Sequence, residues 1–136
     1  MMTRRNFIKQ SAFVTAATTL TAASWSRVRG ANDQVRVGVV GFNGKGGQHI
    51  QVFHNLENVR VVALSDADEG VMQREVGKFA EQGESVKTFQ DMRHLYDQKD
   101  VDVVVIAAPN HWHSLAGIWA MQAGKDVYVE KPVSHN

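Results

Sequence analysis

The chain has no cysteine among its 136 residues. A protein without thiols forms no disulfides, has no cysteine nucleophile and holds no iron–sulfur cluster or Cys-type zinc site, so only histidine and carboxylate side chains are left as metal ligands. Long apolar runs are also missing, because the weakly apolar stretch at residues 11–23 is shorter than the about 20 residues that a membrane helix needs. With 43% hydrophobic and 21% charged residues, the composition is that of one globular domain.

Acidic residues are absent from residues 1–30, which contain five basic ones: Arg4, Arg5, Lys9, Arg27 and Arg29. Residues 31–136 hold 10 basic and 14 acidic residues, which gives them a net charge of −4. A body of that sign repels phosphate backbones, and its lysines and arginines are scattered rather than gathered in a stripe. We therefore expect no nucleic-acid partner.

The first thirty residues have the layout of a targeting segment. Residues 3–9 read Thr-Arg-Arg-Asn-Phe-Ile-Lys and precede a core at residues 11–23 that is rich in Ala, Thr and Val. A basic region followed by an apolar one is typical of a signal peptide, and the Arg4-Arg5 pair in this setting resembles a twin-arginine export signal. We expect residues 1–30 to engage the twin-arginine export machinery and to deliver the protein to the periplasm. Since that route carries folded proteins, commonly with a cofactor already loaded, a cofactor is expected.

Residues 31–136 alternate between short apolar runs and helical periodicity. The apolar runs lack polar alternation, which favours a parallel sheet covered by helices on both faces and hence an α/β fold. We predict strands at residues 35–40, 59–64, 86–89, 103–107 and 127–129, and helices around residues 50–56, 72–80, 92–96 and 115–121. Ligands of such sheets bind at the carboxyl ends of the strands, so the residues that follow each strand are the candidates for function.

A glycine-rich loop follows the first predicted strand. Gly41 and Gly46 match the first and third glycines of the dinucleotide-binding pattern G-x-G-x-x-G, whereas Asn43 replaces the second one. Asn tolerates positive φ and Gly44 is adjacent, so a reshaped loop can still present amides to an anion at the next helix N-terminus. A phosphate-loop NTPase is excluded because no Ser or Thr for magnesium follows Lys45. The alternative interpretation is a structural turn.

Asp66 follows the second predicted strand, twenty residues after Gly46. A carboxylate at this place accepts hydrogen bonds from an adenosine ribose and repels a 2′-phosphate, which favours NAD over NADP. The alternative role is that of a helix N-cap. Asp68 suits the cap better, since it stands nearer to the predicted helix.

Two further strand ends carry polar side chains. The fourth strand leads into Pro109-Asn110-His111-Trp112-His113, where Pro109 ends the strand and Asn110 can cap the next helix. No third ligand lies near the two histidines, so we predict no metal site. The last strand ends at Glu130-Lys131-Pro132. A lysine beside a cationic nicotinamide can transfer a proton to or from a substrate hydroxyl, although a solvated Glu–Lys pair is the plainer alternative.

Together, these four segments resemble the nucleotide-binding half of the Gfo/Idh/MocA oxidoreductases, the family of glucose-fructose oxidoreductase and inositol dehydrogenase. The resemblance runs from about residue 35 to the end of the chain, and its specific part is Glu-Lys-Pro after a Pro-Asn-x-x-His strand end. It implies a Rossmann-type doubly wound parallel sheet over residues 31–136 that binds NAD, or less favourably NADP, tightly. By this resemblance Lys131 is the catalytic residue, and the cofactor-binding residues are Gly41, Asn43, Gly44 and Gly46 at the pyrophosphate, Asp66 at the adenosine ribose, and Pro109, Asn110, His113 and Glu130 at the nicotinamide ribose.

The resemblance also implies parts that residues 31–136 do not contain. In the family, a mostly antiparallel α+β substrate domain follows and supplies the substrate floor, a His or Asp partner for the lysine and the oligomer interface. We therefore expect this chain to be an N-terminal fragment or truncated product without turnover, and the full-length protein to be a homo-oligomer.

For the full-length protein, the resemblance implies an exported NAD(P)-dependent oxidoreductase that acts on a sugar or polyol by hydride transfer. One alternative is a glycosidase of the same family, which uses bound NAD for a transient oxidation and elimination. The other is a nucleotide-binding module without chemistry, which is the more literal description of these 136 residues.

Overall fold

The computed structural model describes residues 34–134. These residues form a five-stranded sheet in the order β3-β2-β1-β4-β5, and every neighbouring pair of strands is parallel. The predicted doubly wound α/β fold is confirmed. The predicted export signal at residues 1–30 lies outside the described residues and stays a prediction.

The elements follow the predicted alternation closely. The strands are β1 (Val35–Val40), β2 (Val59–Ser65), β3 (Lys87–Phe89), β4 (Val103–Ile106) and β5 (Asp126–Val129), and the helices are α1 (Lys45–His54), α2 (Glu69–Glu81), α3 (Met92–Tyr96) and α4 (His113–Gln122), with a 3₁₀ turn at Asn110–Trp112 before α4. No helix within residues 34–134 is long and apolar enough to cross a membrane.

Two apolar cores lie on opposite faces of the sheet. One joins Val39 and Leu64 of the sheet to Ile50 of α1 and Phe79 of α2. The other joins strand residues such as Val104 and Ile106 to Leu95 of α3 and to Ala116 and Ala120 of α4. Burial on both faces explains why the central strands show no polar alternation.

Local capping agrees with the sequence in most places. The Asp68 carboxylate accepts hydrogen bonds from the backbone N–H groups of Gly70 and Val71, so it is the N-cap of α2 as predicted. Asp91 accepts one from Arg93 N–H at the start of α3. Gly83 and Gly124 follow the ends of α2 and α4 with positive φ, which is the conformation that a glycine after a helix end supplies.

The apolar residues that indicate α4 in the sequence do not all face the core. Leu115, Ile118 and Met121 have exposed fractions of 41%, 46% and 59%, whereas Trp119 packs against the second core. The buried face consists instead of small residues and one histidine: His113, Ala116, Gly117 and Ala120. Small side chains let the helix lie close to the sheet, and a Cβ on Gly117 would sit 3.4 Å from a methyl group of Val129.

Candidate functional site

Four strands end at one edge of the sheet, and backbone hydrogen bonds tie these ends together. Gly41 N–H donates to Ser65 O (2.8 Å), Ala107 N–H to Val40 O (2.8 Å), and Glu130 N–H to Ile106 O (2.9 Å). The glycine loop, Asp66, the 107–113 segment and the Glu-Lys-Pro segment are therefore brought to this edge, as the sequence predicted.

The glycine loop requires glycine at two positions. Gly41 has a φ of 74°, and a Cβ placed on it would lie 2.4 Å from Ala108 Cα. A Cβ on Gly46 would lie 2.0 Å from Gly41 O, so no other residue lets α1 start this close to β1. A Cβ on Gly44 would meet nothing within 4 Å, and no side chain caps the N-terminus of α1. Gly47 N–H donates to Gly44 O (3.0 Å), and the amides of Lys45 and Gly46 are left to a ligand or to solvent.

Asn43 is exposed in this loop, and its side-chain oxygen accepts a hydrogen bond from Arg74 Nη2 of α2 (3.0 Å). The sequence pattern did not predict this contact, because the two residues lie 31 positions apart. The hydrogen bond links the glycine loop to α2.

Asp66 is partly buried and binds two backbone amides. Its Oδ2 accepts from Phe42 N–H in the glycine loop (3.0 Å), and its Oδ1 accepts from Asp68 N–H (3.0 Å). The carboxylate thus connects the end of β2 to the glycine loop. A carboxylate has about four acceptor positions, so these two bonds leave capacity for ribose hydroxyls.

The segment after β4 forms the 3₁₀ turn, with Pro109 and Asn110 exposed at its start. The predicted side-chain cap by Asn110 is absent. Asn110 is the first residue of the turn, and its backbone carbonyl, not its side chain, accepts from His113 N–H. Its amide side chain therefore stays at the exposed edge.

His113 is buried, with an exposed fraction of 2%. Its Nδ1 lies 2.7 Å from Pro132 O, and its Nε2 lies 2.7 Å from Ala108 O. Carbonyl oxygens only accept, so both contacts are hydrogen bonds when each ring nitrogen carries a proton. The side chain joins the end of β4 to the Glu-Lys-Pro segment. Because both ring nitrogens face backbone carbonyls, His113 can affect a nicotinamide ribose only by positioning the backbones of Ala108 and Pro132.

Glu130 has a partner that the sequence does not predict. His49 Nε2, on α1, lies 2.6 Å from Glu130 Oε1, and both side chains are mostly buried. The hydrogen bond from His49 holds the pKa of the Glu130 carboxyl below its ordinary value. The residues are 81 positions apart, and no local pattern indicates that they meet.

Lys131 is exposed directly after Glu130, and its backbone N–H donates to Glu130 Oε2 (3.2 Å). Within residues 34–134, its ammonium group has no hydrogen bond or ion pair. Glu130 and Lys131 therefore do not form the solvated side-chain pair that is the alternative interpretation of this segment.

No three His, Asp or Glu side chains in the described part of the chain stand close enough to hold a metal ion together. The residues at the strand edge do fit a dinucleotide. The uncapped helix start after a tight glycine turn suits a pyrophosphate, and carboxylates at the ends of β2 and β5 suit two riboses.

Comparisons with known proteins agree with this geometry. Residues 35–136 match the Gfo/Idh/MocA family, described as an oxidoreductase family with an NAD-binding Rossmann fold. A glycosyl hydrolase family 109 protein of Shewanella sp. (strain W3-18-1) is 36% identical over 107 residues, which cover 75% of this chain and 23% of that protein. The chain thus spans about a quarter of the length of this curated relative.

Two solved structures share the fold. Myo-inositol dehydrogenase of Lactobacillus casei, in complex with NAD(H) and myo-inositol, is 27% identical with a TM-score of 0.68, and the match covers 74% of this chain and 29% of that one. Biliverdin reductase of Synechocystis sp. PCC 6803, in complex with biliverdin and NADP+, is 31% identical with a TM-score of 0.62, and the match covers 74% and 30%. With the parallel sheet, the glycine turn and the family match over residues 35–136, the chain belongs to the Gfo/Idh/MocA oxidoreductases and contains their NAD-binding Rossmann domain.

Proposed function

We propose that the protein oxidises or reduces a sugar or polyol at a hydroxyl-bearing carbon, with Lys131 as the catalytic residue. The observation that carries this proposal is the exposed Lys131 ammonium group, which has no partner within residues 34–134 and stands at the edge where the strand ends meet. The bound nicotinamide supplies the hydride acceptor or donor. Lys131 moves the proton of the substrate hydroxyl, for which its exposed ammonium group is available.

The other residues at the edge have binding roles in this proposal. Gly41, Asn43, Gly44 and Gly46 line the pyrophosphate, and Asp66 binds the adenosine ribose. Pro109, Asn110 and Glu130 border the nicotinamide ribose, while His113 supports it by holding the backbone of Pro132. NAD is preferred over NADP because a 2′-phosphate would approach the Asp66 carboxylate.

A second candidate is glycoside cleavage that passes through a transient oxidation by tightly bound NAD. The names of the curated relatives favour it, since they are glycosyl hydrolase family 109 proteins at 33–36% identity. Both candidates begin with the same step at a sugar carbon and assign Lys131 the same role. They differ in the product, which is an oxidised sugar in one case and a released aglycone in the other.

We also propose that the protein leaves the cytoplasm by the twin-arginine route, and that the full-length protein forms a homo-oligomer. Free nicotinamide cofactor is scarce outside the cytoplasm. An exported enzyme therefore benefits from retaining its NAD and from regenerating it within one bound complex.

Lys131→Ala in the full-length protein tests the assignment. We expect the variant to keep bound NAD and to lose hydride transfer by about 10²–10⁴-fold, which is the usual contribution of a positioned acid–base group. Cofactor content is read from the absorbance of the purified protein, and hydride transfer from the nicotinamide absorbance in single turnovers. Lys99→Ala, at an exposed lysine outside the site, is the matched control.

If Lys131→Ala released the cofactor but reacted normally in excess NAD, Lys131 would be a binding residue and the mechanism would be wrong. A screen of sugars, polyols and aryl glycosides separates the two candidate functions by their products.

A further inference from the structure

The contact between His49 and Glu130 joins the two ends of the cofactor site. His49 lies on α1, the helix that starts at the glycine loop, and Glu130 lies at the end of β5 beside Lys131. Their side chains meet at 2.6 Å and so link these two segments. It is also well shielded, because the side chains of His49 and Glu130 are only 12% and 17% exposed.

The His49 ring is held in place by its surroundings. It packs edge-on against Tyr128, with 5.4 Å between ring centroids, and tilted against Phe53 at 6.3 Å. The Nε2 atom is therefore aimed at the carboxylate by packing as well as by the hydrogen bond itself.

The Glu130 carboxylate is fixed at both oxygens. Oε1 faces His49, and Oε2 accepts from Lys131 N–H at 3.2 Å. Each carboxylate oxygen accepts two hydrogen bonds, so each retains one acceptor position for a further donor. A ribose presents two neighbouring hydroxyl donors, which match two fixed acceptor positions.

We infer that His49 is a positioning residue that fixes the Glu130 carboxylate for the nicotinamide-side ribose of the cofactor. This inference rests on the proposed cofactor geometry. A glutamate at an open sheet edge loses side-chain freedom when it binds a ligand, whereas Glu130 has already lost that freedom through His49. The benefit falls on the ribose next to nicotinamide and not on the adenosine half.

Cofactor fragments separate these two halves. ADP contains the adenosine and the pyrophosphate, and ADP-ribose adds the second ribose. His49→Phe keeps an aromatic ring against Tyr128 and Phe53 but removes the N–H donor. We expect this variant to bind ADP-ribose about three- to tenfold more weakly, which corresponds to the cost of ordering one side chain. The Kd of this variant for ADP should stay within about twofold of the wild-type value, because ADP lacks the second ribose.

Three variants complete the experiment, with Kd values from isothermal calorimetry. His49→Gln restores an N–H donor at similar reach and should recover ADP-ribose affinity. His54→Phe is the matched control on the same helix, since His54 faces Glu84 at 3.7 Å, and it should change neither Kd. Glu130→Gln should weaken ADP-ribose as His49→Phe does, and the double variant should be no weaker than Glu130→Gln alone.

The outcomes are distinct. Equal weakening of ADP and ADP-ribose in His49→Phe would show a structural role for His49 in α1, and unchanged ADP-ribose binding would show no role. Either result would overturn the inference while leaving the proposed function intact. Failure of the wild-type protein to bind either fragment would overturn the proposed cofactor use, and the inference with it.

Discussion

Asp66 shows how one residue serves the fold and the site together. Its two oxygens accept from Phe42 N–H and Asp68 N–H, so the carboxylate holds the glycine loop against the end of β2. The same negative charge faces the position where the adenosine ribose is proposed to bind. We therefore expect removal of the side chain to loosen the loop and to reduce the discrimination against a 2′-phosphate.

We expect Asp66→Ala to weaken NAD binding by about 1–3 kcal/mol, the range for a hydrogen bond to a charged group, and to narrow the gap between NAD and NADP. Titration of the full-length protein with both cofactors measures both effects. Asp68→Ala, which removes the α2 cap, is the control: it should cost about 0.5–2 kcal/mol of stability without changing the cofactor preference. Tighter NADP than NAD binding by the wild type would contradict the role given to Asp66.

Among the elements, α4 departs most from its sequence pattern. Leu115, Ile118 and Met121 face outward, and the small residues of α4 face β4 and β5. A hydrophobic pattern identifies the helix but does not choose between two apolar faces. Close packing determines which face of α4 is buried, because only the face with Ala116, Gly117 and Ala120 lets the helix approach the sheet.

A pair of substitutions tests this orientation of α4. We expect Ile118→Ser to change the free energy of unfolding of this chain by about 0.5 kcal/mol or less, as is usual for exposed positions. Ala120→Leu overpacks a fully buried position and should cost about 1–3 kcal/mol. Urea denaturation monitored by circular dichroism measures both values. A larger loss for Ile118→Ser than for Ala120→Leu would mean that α4 is turned the other way.

For the molecule as a whole, the proposed export route is open to direct test. The twin-arginine pathway depends on both arginines, so replacement of Arg4 and Arg5 by lysine should leave a fused reporter in the cytoplasm, although the charge is unchanged. Cell fractionation after expression measures this. The same substitution at Arg27 and Arg29, behind the apolar core, is the control and should leave export intact. Unchanged export of the Arg4/Arg5 variant would refute the proposal.

The sequence by itself determined the element order, the parallel sheet and the edge where function is placed. These follow from local rules: the period of apolar residues separates strands from helices, and parallel strands bring their carboxyl ends to one edge. The glycine loop, Asp66 and the Glu-Lys-Pro segment were therefore predicted to be neighbours, and the backbone bonds between strand ends confirm that they are.

Only the tertiary structure decided which side chains touch within that edge and which face of α4 is buried. His49 meets Glu130 across 81 positions, Arg74 meets Asn43 across 31, and His113 meets Pro132 across 19. Each contact joins two elements whose separation and rotation are set by the packing of both cores, and no period within either element contains that information. Side-chain pairing across elements is a property of the packed molecule, which is why a histidine outside every recognised motif holds the glutamate of the site.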